Sequence, residues 1–152
     1  MAKKKGIKII AENRRARREY NILEKFEAGL VLAGTEVKSL RTGRANLAQS
    51  YVRIVDDEAY IVGFHISPYE HGNRYNLDPL RERKLLLHKR EIRRLYQQVT
   101  QEGLTIIPLS IYFRDGLAKL EIALARGKKL YDHREAEAKR AAEREMARRR
   151  DQ

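Results

Sequence analysis

Three sets of residues in this chain could do chemistry: the acidic run Asp56-Asp57-Glu58, the histidines His65, His71, His88 and His133, and the pair Gly127-Lys128. Clustered carboxylates can hold the divalent metal of a nuclease, and closely spaced histidines can ligate a transition metal. Here the carboxylates lie between two β-rich runs, where a solvated turn explains them better. The histidines show no metal-ligand spacing. Gly127-Lys128 lacks the upstream glycine of a phosphate-binding loop, because position 122 is Ile. No reaction is proposed by these residues, and neither a metal nor a cofactor is expected.

Charge points instead to binding. The 152 residues carry 33 Lys and Arg against 21 Asp and Glu, a formal net charge of +12, which suits a polyanionic partner, nucleic acid before a membrane surface. The length fits one domain. Without cysteine there are no disulfides and no thiolate-ligated zinc, which suits a reducing compartment. The apolar run at the basic N terminus, from Ile7 to Ala11 and interrupted by Lys8, is too short for a signal peptide or a membrane span. A cytoplasmic protein is expected.

The stretch GTEVKSLRTG (34–43) holds both charge signs around two apolar anchors. It predicts a short helix: Thr35 can cap it, Glu36 favours its positive start, Arg41 its end, and Gly43 can stop it. Val37 and Leu40 would fasten the helix to the body, with Lys38 and Arg41 on one flank and Glu36 on the other. A capped surface helix and a cationic contact are both compatible with this pattern.

These residues must be positioned by the elements around them. Residues 1–11 are lysine-rich and predict a basic N-terminal arm. NRRARREY (13–20) predicts a short helix capped by Asn13, with Ala16 and Tyr20 inward and the arginines outward. YNILEKFEAGLVLAG (20–34) reads as a strand with a bulge or bend at Gly29. Residues 51–66 read as a hairpin turning at Asp56-Asp57-Glu58, and 67–84 as a long basic surface loop. Ile92, Leu95, Tyr96 and Val99 recur at helical spacing before Gly103, so 89–102 predicts an amphipathic helix. LTIIPLSIYFRDGLAKLEIALARG predicts a second hairpin at Arg114-Asp115-Gly116, with Pro108 at an edge or bulge. About six strands and about three helices suggest a small β-barrel of the oligonucleotide-binding-fold kind over 12–127.

After Gly127 the composition changes. Residues 128–152 contain nine basic and six acidic residues, with Leu130, Tyr131 and Met146 as the sizeable apolar groups. Such a tail cannot bury a core face, yet its helix propensity is high, so its structure should depend on a partner surface. Arg140, Arg144 and Arg148 repeat every four residues and would line one side of a helix.

NRRARREY, FEAGLVLAGTEVKSLRTGRANL, KLLLHKRE and GKKLYDHR, in this order across about residues 12–134, resemble the SsrA-binding protein (small protein B) family. The resemblance implies an RNA-binding barrel, not a catalyst. It would bind the tRNA-like domain of transfer-messenger RNA and accompany it to stalled bacterial ribosomes for trans-translation. The family's RNA-binding positions match Asn13, Glu27, Leu86 and Lys119, with Lys38 and Arg41 ranked below them. Lys119 can neutralise phosphate, Asn13 and Glu27 can bond base edges or 2′-hydroxyls, and Leu86 can pack on an unstacked base. Asn13 as a plain helix cap and Leu86 as a core residue stay open alternatives.

The tail, through Lys128, Lys129, Tyr131, Asp132, Arg134, Arg140, Arg144 and Arg148, would enter the vacant messenger channel and meet decoding-centre rRNA. His133 stands where the family commonly carries lysine or arginine. A monomer with no membrane partner is expected. A ribosomal or general RNA-chaperone protein, or a metal-dependent nuclease using the Asp56 cluster, would be the alternatives.

Overall fold

The structure, a computed structural model, describes residues 6–69, 77–128, 141–142 and 144–146. In chain order the elements are β1 (Ile7–Glu12), α1 (Arg14–Glu19), β2 (Tyr20–Leu30), α2 (Gly34–Arg41), β3 (Ala45–Asn46), β4 (Tyr51–Val55), β5 (Glu58–Val62), β6 (His65–Ile66), β7 (Arg83–Leu86), α3 (Lys89–Glu102), β8 (Thr105–Arg114) and β9 (Leu117–Gly127). The main sheet runs β1-β8-β4-β5-β7-β2-β9, and pairing of β9 with β8 closes six of its strands into a ring. Closure removes free edges, and β1 adds to β8 beside the junction. The barrel expectation holds. The strands exceed the expected six because β1 and the short β3–β6 pair, which forms its own sheet, carry little sequence signal.

Alternation along the strands builds the core. Phe26 and Ala28 of β2, Ile111 and Phe113 of β8, and Leu120, Ile122 and Leu124 of β9 point inward with Ile61, Phe64 and Leu85. Burying each large side chain contributes about 1.5–3 kcal/mol. Both long hairpins turn on two residues with positive φ, Asp56-Asp57 (51° and 61°) and Asp115-Gly116 (51° and 82°). That is the signature of type I′ turns, which match the strands' twist and tolerate Asp and Gly. The acids at 56 and 57 are therefore turn residues. Helix α3 spans Lys89–Glu102 as predicted, with Gly103 left-handed at φ 66°. Its Ile92 and Leu95 are buried, whereas Tyr96 is 52% exposed rather than inward.

Several expectations are corrected. The N-terminal arm gives way to a strand from Ile7, which pairs Ile7 with Arg114 and Ile9 with Tyr112. The register shift in β2 lies between Ile22 and Glu24, not at Gly29. Gly29 instead answers to a close neighbour, since a Cβ there would come within 3.2 Å of the Leu86 Cβ. Ala33, not Thr35, is the N-cap of α2, and Glu36 accepts from the Ala33 N–H at 2.9 Å. The loop expected over 67–84 ends early, because Arg83 and Lys84 belong to β7.

Glu36 is not on an exposed flank. It is buried beneath α2, where the fully buried Arg83 donates to it at 2.7 Å and Arg81 donates from the other side. Arg83 also donates to the carbonyls of Phe64 and Pro79 and stacks over the Phe64 ring. Burial opposes ionisation of Glu36, but hydrogen bonds from Arg81, the Ala33 N–H and Arg83 hold its carboxyl below the usual range. This ion cluster answers why α2 carries both charge signs. Its glutamate locks the helix to β7, leaving Lys38 and Arg41 outside.

Candidate nucleic-acid interface

The outward residues of β2, β8 and β9 make one surface with two halves. Helix α1 covers the first half: Ala16 seals a small cluster with Ile107, Leu109, Ala123 and Ala125. A bulge between Pro108 and Ser110 then lets the strand change company, as the edge serving β4 at Ile106 serves β1 from Ser110 onward. Pro108 thus sits at a bulge, as expected of a residue without an N–H.

The second half is open. The register places Leu86, Gly29, Lys119, Tyr112 and Ile9 side by side across β7, β2, β9, β8 and β1. Gly29 is the low point of this row, and Leu86 leans over it. Leu86 is 55% exposed and Ile9 57%, so Leu86 is not a core residue; Leu85 beside it is. In the next row Glu27 of β2 faces Glu121 of β9, which faces Ser110 of β8 and then Glu12 of β1. Three of the expected RNA-binding residues, Glu27, Leu86 and Lys119, therefore meet on one exposed face.

Glu27 is held in place. The Tyr112 hydroxyl donates to its Oε2, and Arg114 donates to the same oxygen from Nη2 at 2.8 Å and Nε at 3.1 Å. The Tyr112 bond, helped by Arg114 and Lys119, keeps the Glu27 carboxyl below its ordinary range. Burial, followed by the bond to Glu27, pushes the Tyr112 hydroxyl up to about 12, so it stays a donor. The carboxylate is thus an ionised acceptor at neutral pH.

Asn13 lies elsewhere. It is buried, with its amide donating to the carbonyls of Pro108 at 3.0 Å and Leu47 at 3.4 Å while its Oδ1 caps α1 at the Ala16 N–H, 3.2 Å away. These bonds make Asn13 the cap of α1 and tie it to β8 through the Pro108 carbonyl. The helix it caps presents Arg14, Arg15, Arg17 and Arg18 to solvent. Lys38 and Arg41 lie on α2, which packs on β6; Lys38 stands over the Tyr69 ring at 5.7 Å. Of the tail residues, Lys128 and Arg144 are described and exposed, whereas Lys129, Tyr131, Asp132, Arg134, Arg140 and Arg148 lie outside the described residues.

Tyr112, Arg114, Arg17 and Lys25 line the same face as Glu27 and were not singled out in the sequence. A signal existed for Arg17, in the arginine run of α1. Tyr112 and Arg114 had only their alternation with inward Ile111 and Phe113, and nothing local links them to Glu27.

A family model described as SmpB protein matches residues 10–152. The chain belongs to the SmpB family. Among its relatives, the SsrA-binding protein of Desulforudis audaxviator is 60% identical over 93% of this chain and 92% of its own. That of Syntrophomonas wolfei is 60% identical over 97% and 95%, and that of Carboxydothermus hydrogenoformans 58% over 91% and 93%. A solved structure described as "tmRNA-SmpB: a journey to the center of the bacterial ribosome" matches with a TM-score of 0.67 at 55% identity, covering 79% of this chain and 85% of that one. The barrel, with its peripheral helices, is thus the fold of an SmpB protein. Among the described residues, no helix is long and apolar enough to cross a membrane.

Proposed function

We infer that this SmpB protein binds transfer-messenger RNA and works with it in trans-translation on the bacterial ribosome. The carrying observation is the convergence of Glu27, Leu86 and Lys119 on one open face of a chain 60% identical to SsrA-binding proteins. A cation for phosphate, an oriented carboxylate for base or sugar donors, and an exposed leucine for a base plane are what recognition of splayed RNA loops requires. The tRNA-like domain is the part of the RNA read by this face. Glu27, Leu86 and Lys119 touch it directly, α1 adds arginines projected by Asn13, and Lys38 and Arg41 form a lesser contact on α2.

The protein acts in the cytoplasm by binding, without catalysis, as a monomer. The body binds the RNA, and residues 128–152 engage the empty messenger channel, Lys128 and Arg144 on phosphate with the remaining tail cations and Tyr131 stacked on decoding-centre rRNA. A reconstituted stalled-ribosome assay tests the division of labour. A chain ending at Gly127 is expected to retain transfer-messenger RNA in a pull-down and to lose tagging of the incomplete protein; full tagging by that chain would overturn the role of the tail.

A further inference from the structure

The open half of the outer face contains a groove of about 380 Å³ bounded by β1, β2 and β8 and by Arg17 of α1. Its wall includes Ile7 and Ile9 from β1, Tyr112 and Arg114 from β8, and Lys25 and Glu27 from β2. All three hydrogen bonds to Glu27 end on Oε2. Oε1 has no partner among the described residues, and neither Arg17 nor Lys25 has one. A carboxylate fixed through one oxygen, with the other left over in a groove, is an acceptor waiting for a donor.

We propose that this groove is a single-nucleotide site: it takes one unstacked RNA nucleotide, whose N–H or O–H donor bonds Oε1 of Glu27, with Tyr112 and Arg114 as the residues that position that oxygen. The assignment rests on the RNA-binding reading above and adds a pocket, a ligand class and two positioning residues to it. Ile7 and Ile9 offer an apolar wall for a base, and Arg17 and Lys25 face the phosphate that arrives with it. The acceptor chemistry selects among nucleotides. A phosphate oxygen or a carbonyl edge would meet the carboxylate, as well as Glu12 and Glu121 in the same row, with repulsion. An exocyclic amine or a 2′-hydroxyl meets it with a charge-assisted bond. Because one oxygen is already saturated, the contact is a single bond rather than a bidentate clamp.

Tyr112→Phe deletes the hydroxyl and keeps the ring, and Arg114→Gln alters a half-buried residue outside the core cluster, so both variants should fold; circular dichroism melts check this. With the full chain and a transcript of the tRNA-like domain, each is expected to weaken binding about tenfold, the scale of one hydrogen bond to a charged group. If they act through Glu27, the double variant Tyr112→Phe/Glu27→Ala binds no more weakly than Glu27→Ala. A merely structural tyrosine would give losses that multiply. Transcripts with inosine for guanosine, or with 2′-deoxy residues, separate the two donors: the one that abolishes sensitivity to Glu27→Ala carries the donor. Parent-like affinity of Tyr112→Phe and Arg114→Gln, or fully multiplicative losses, would overturn the site. A parent protein that binds an unrelated RNA hairpin as tightly, with the Tyr112 and Glu27 losses still coupled, would count against the proposed function and leave the pocket standing.

Discussion

In the proposed interface Lys119 and Glu27 are neighbours that would read different things. The lysine lies between Gly29 and Tyr112 in its row; its charge helps keep Glu27 ionised, but it makes no direct ion pair among the described residues, which leaves its ammonium within reach of a phosphate. Its contribution should be electrostatic and insensitive to sequence. Lys119→Ala is therefore expected to weaken binding of every RNA alike and to lower the slope of log affinity against log salt by about one counterion. Gel shifts across a salt series measure this, and a slope equal to the parent's would remove Lys119 from the interface. Leu86 belongs to the same scale: half out of water beside Gly29, it offers an apolar surface on which the proposed function packs an unstacked base.

At the scale of elements, Glu36 and Arg83 join α2 to β7, and so fix the strand that ends at Leu86. The carboxyl is held below its usual range in the folded protein, so the unfolded chain binds protons first as pH falls. The lock's stability is fully present above the unfolded carboxylate range, near about pH 4.3, and is lost as pH drops through the lower folded value. Thermal midpoints should be level from about pH 7 to 5 and fall below that. Glu36→Ala leaves Arg83 buried without its partner and should cost about 3–5 kcal/mol at neutral pH. A parent-like midpoint would show that the cluster is not a lock.

The elements were unevenly legible in the sequence. Helix α3 was readable to the residue because its stripe and its glycine stop are local, and the two hairpins because Asp-Asp and Asp-Gly fit turns with positive φ. Asn13 was legible as a cap but not as a buried residue, since its carbonyl partner on Pro108 is 95 positions away. Strand β1 looked like an arm because its pairing with β8 is equally remote. Arg83 stands in the run RERK, where type alone cannot tell the fully buried arginine from the half-buried Arg81. Its burial is decided by a glutamate 47 positions earlier. The anchoring of Glu27 by Tyr112 and Arg114 spans 85 and 87 positions and was invisible for the same reason.

Over the whole molecule, a closed ring of strands carries the proposed interface, and a net charge of +12 would supply attraction to RNA. With a net +12, the chain will bind any RNA weakly at low salt, so affinity alone says little. Under the proposed function, the oriented Glu27, the exposed Leu86 and the open row between them would add discrimination. The most direct measurement is competition for the full chain, at physiological salt, between a transcript of the tRNA-like domain and an unrelated structured RNA of equal length. Strong preference for the tRNA-like transcript, reduced by Glu27→Ala far more than binding of the competitor is, is the predicted result. Equal affinity for the two RNAs, with Glu27→Ala affecting both or neither, would contradict the assignment and mark the barrel as a general RNA binder.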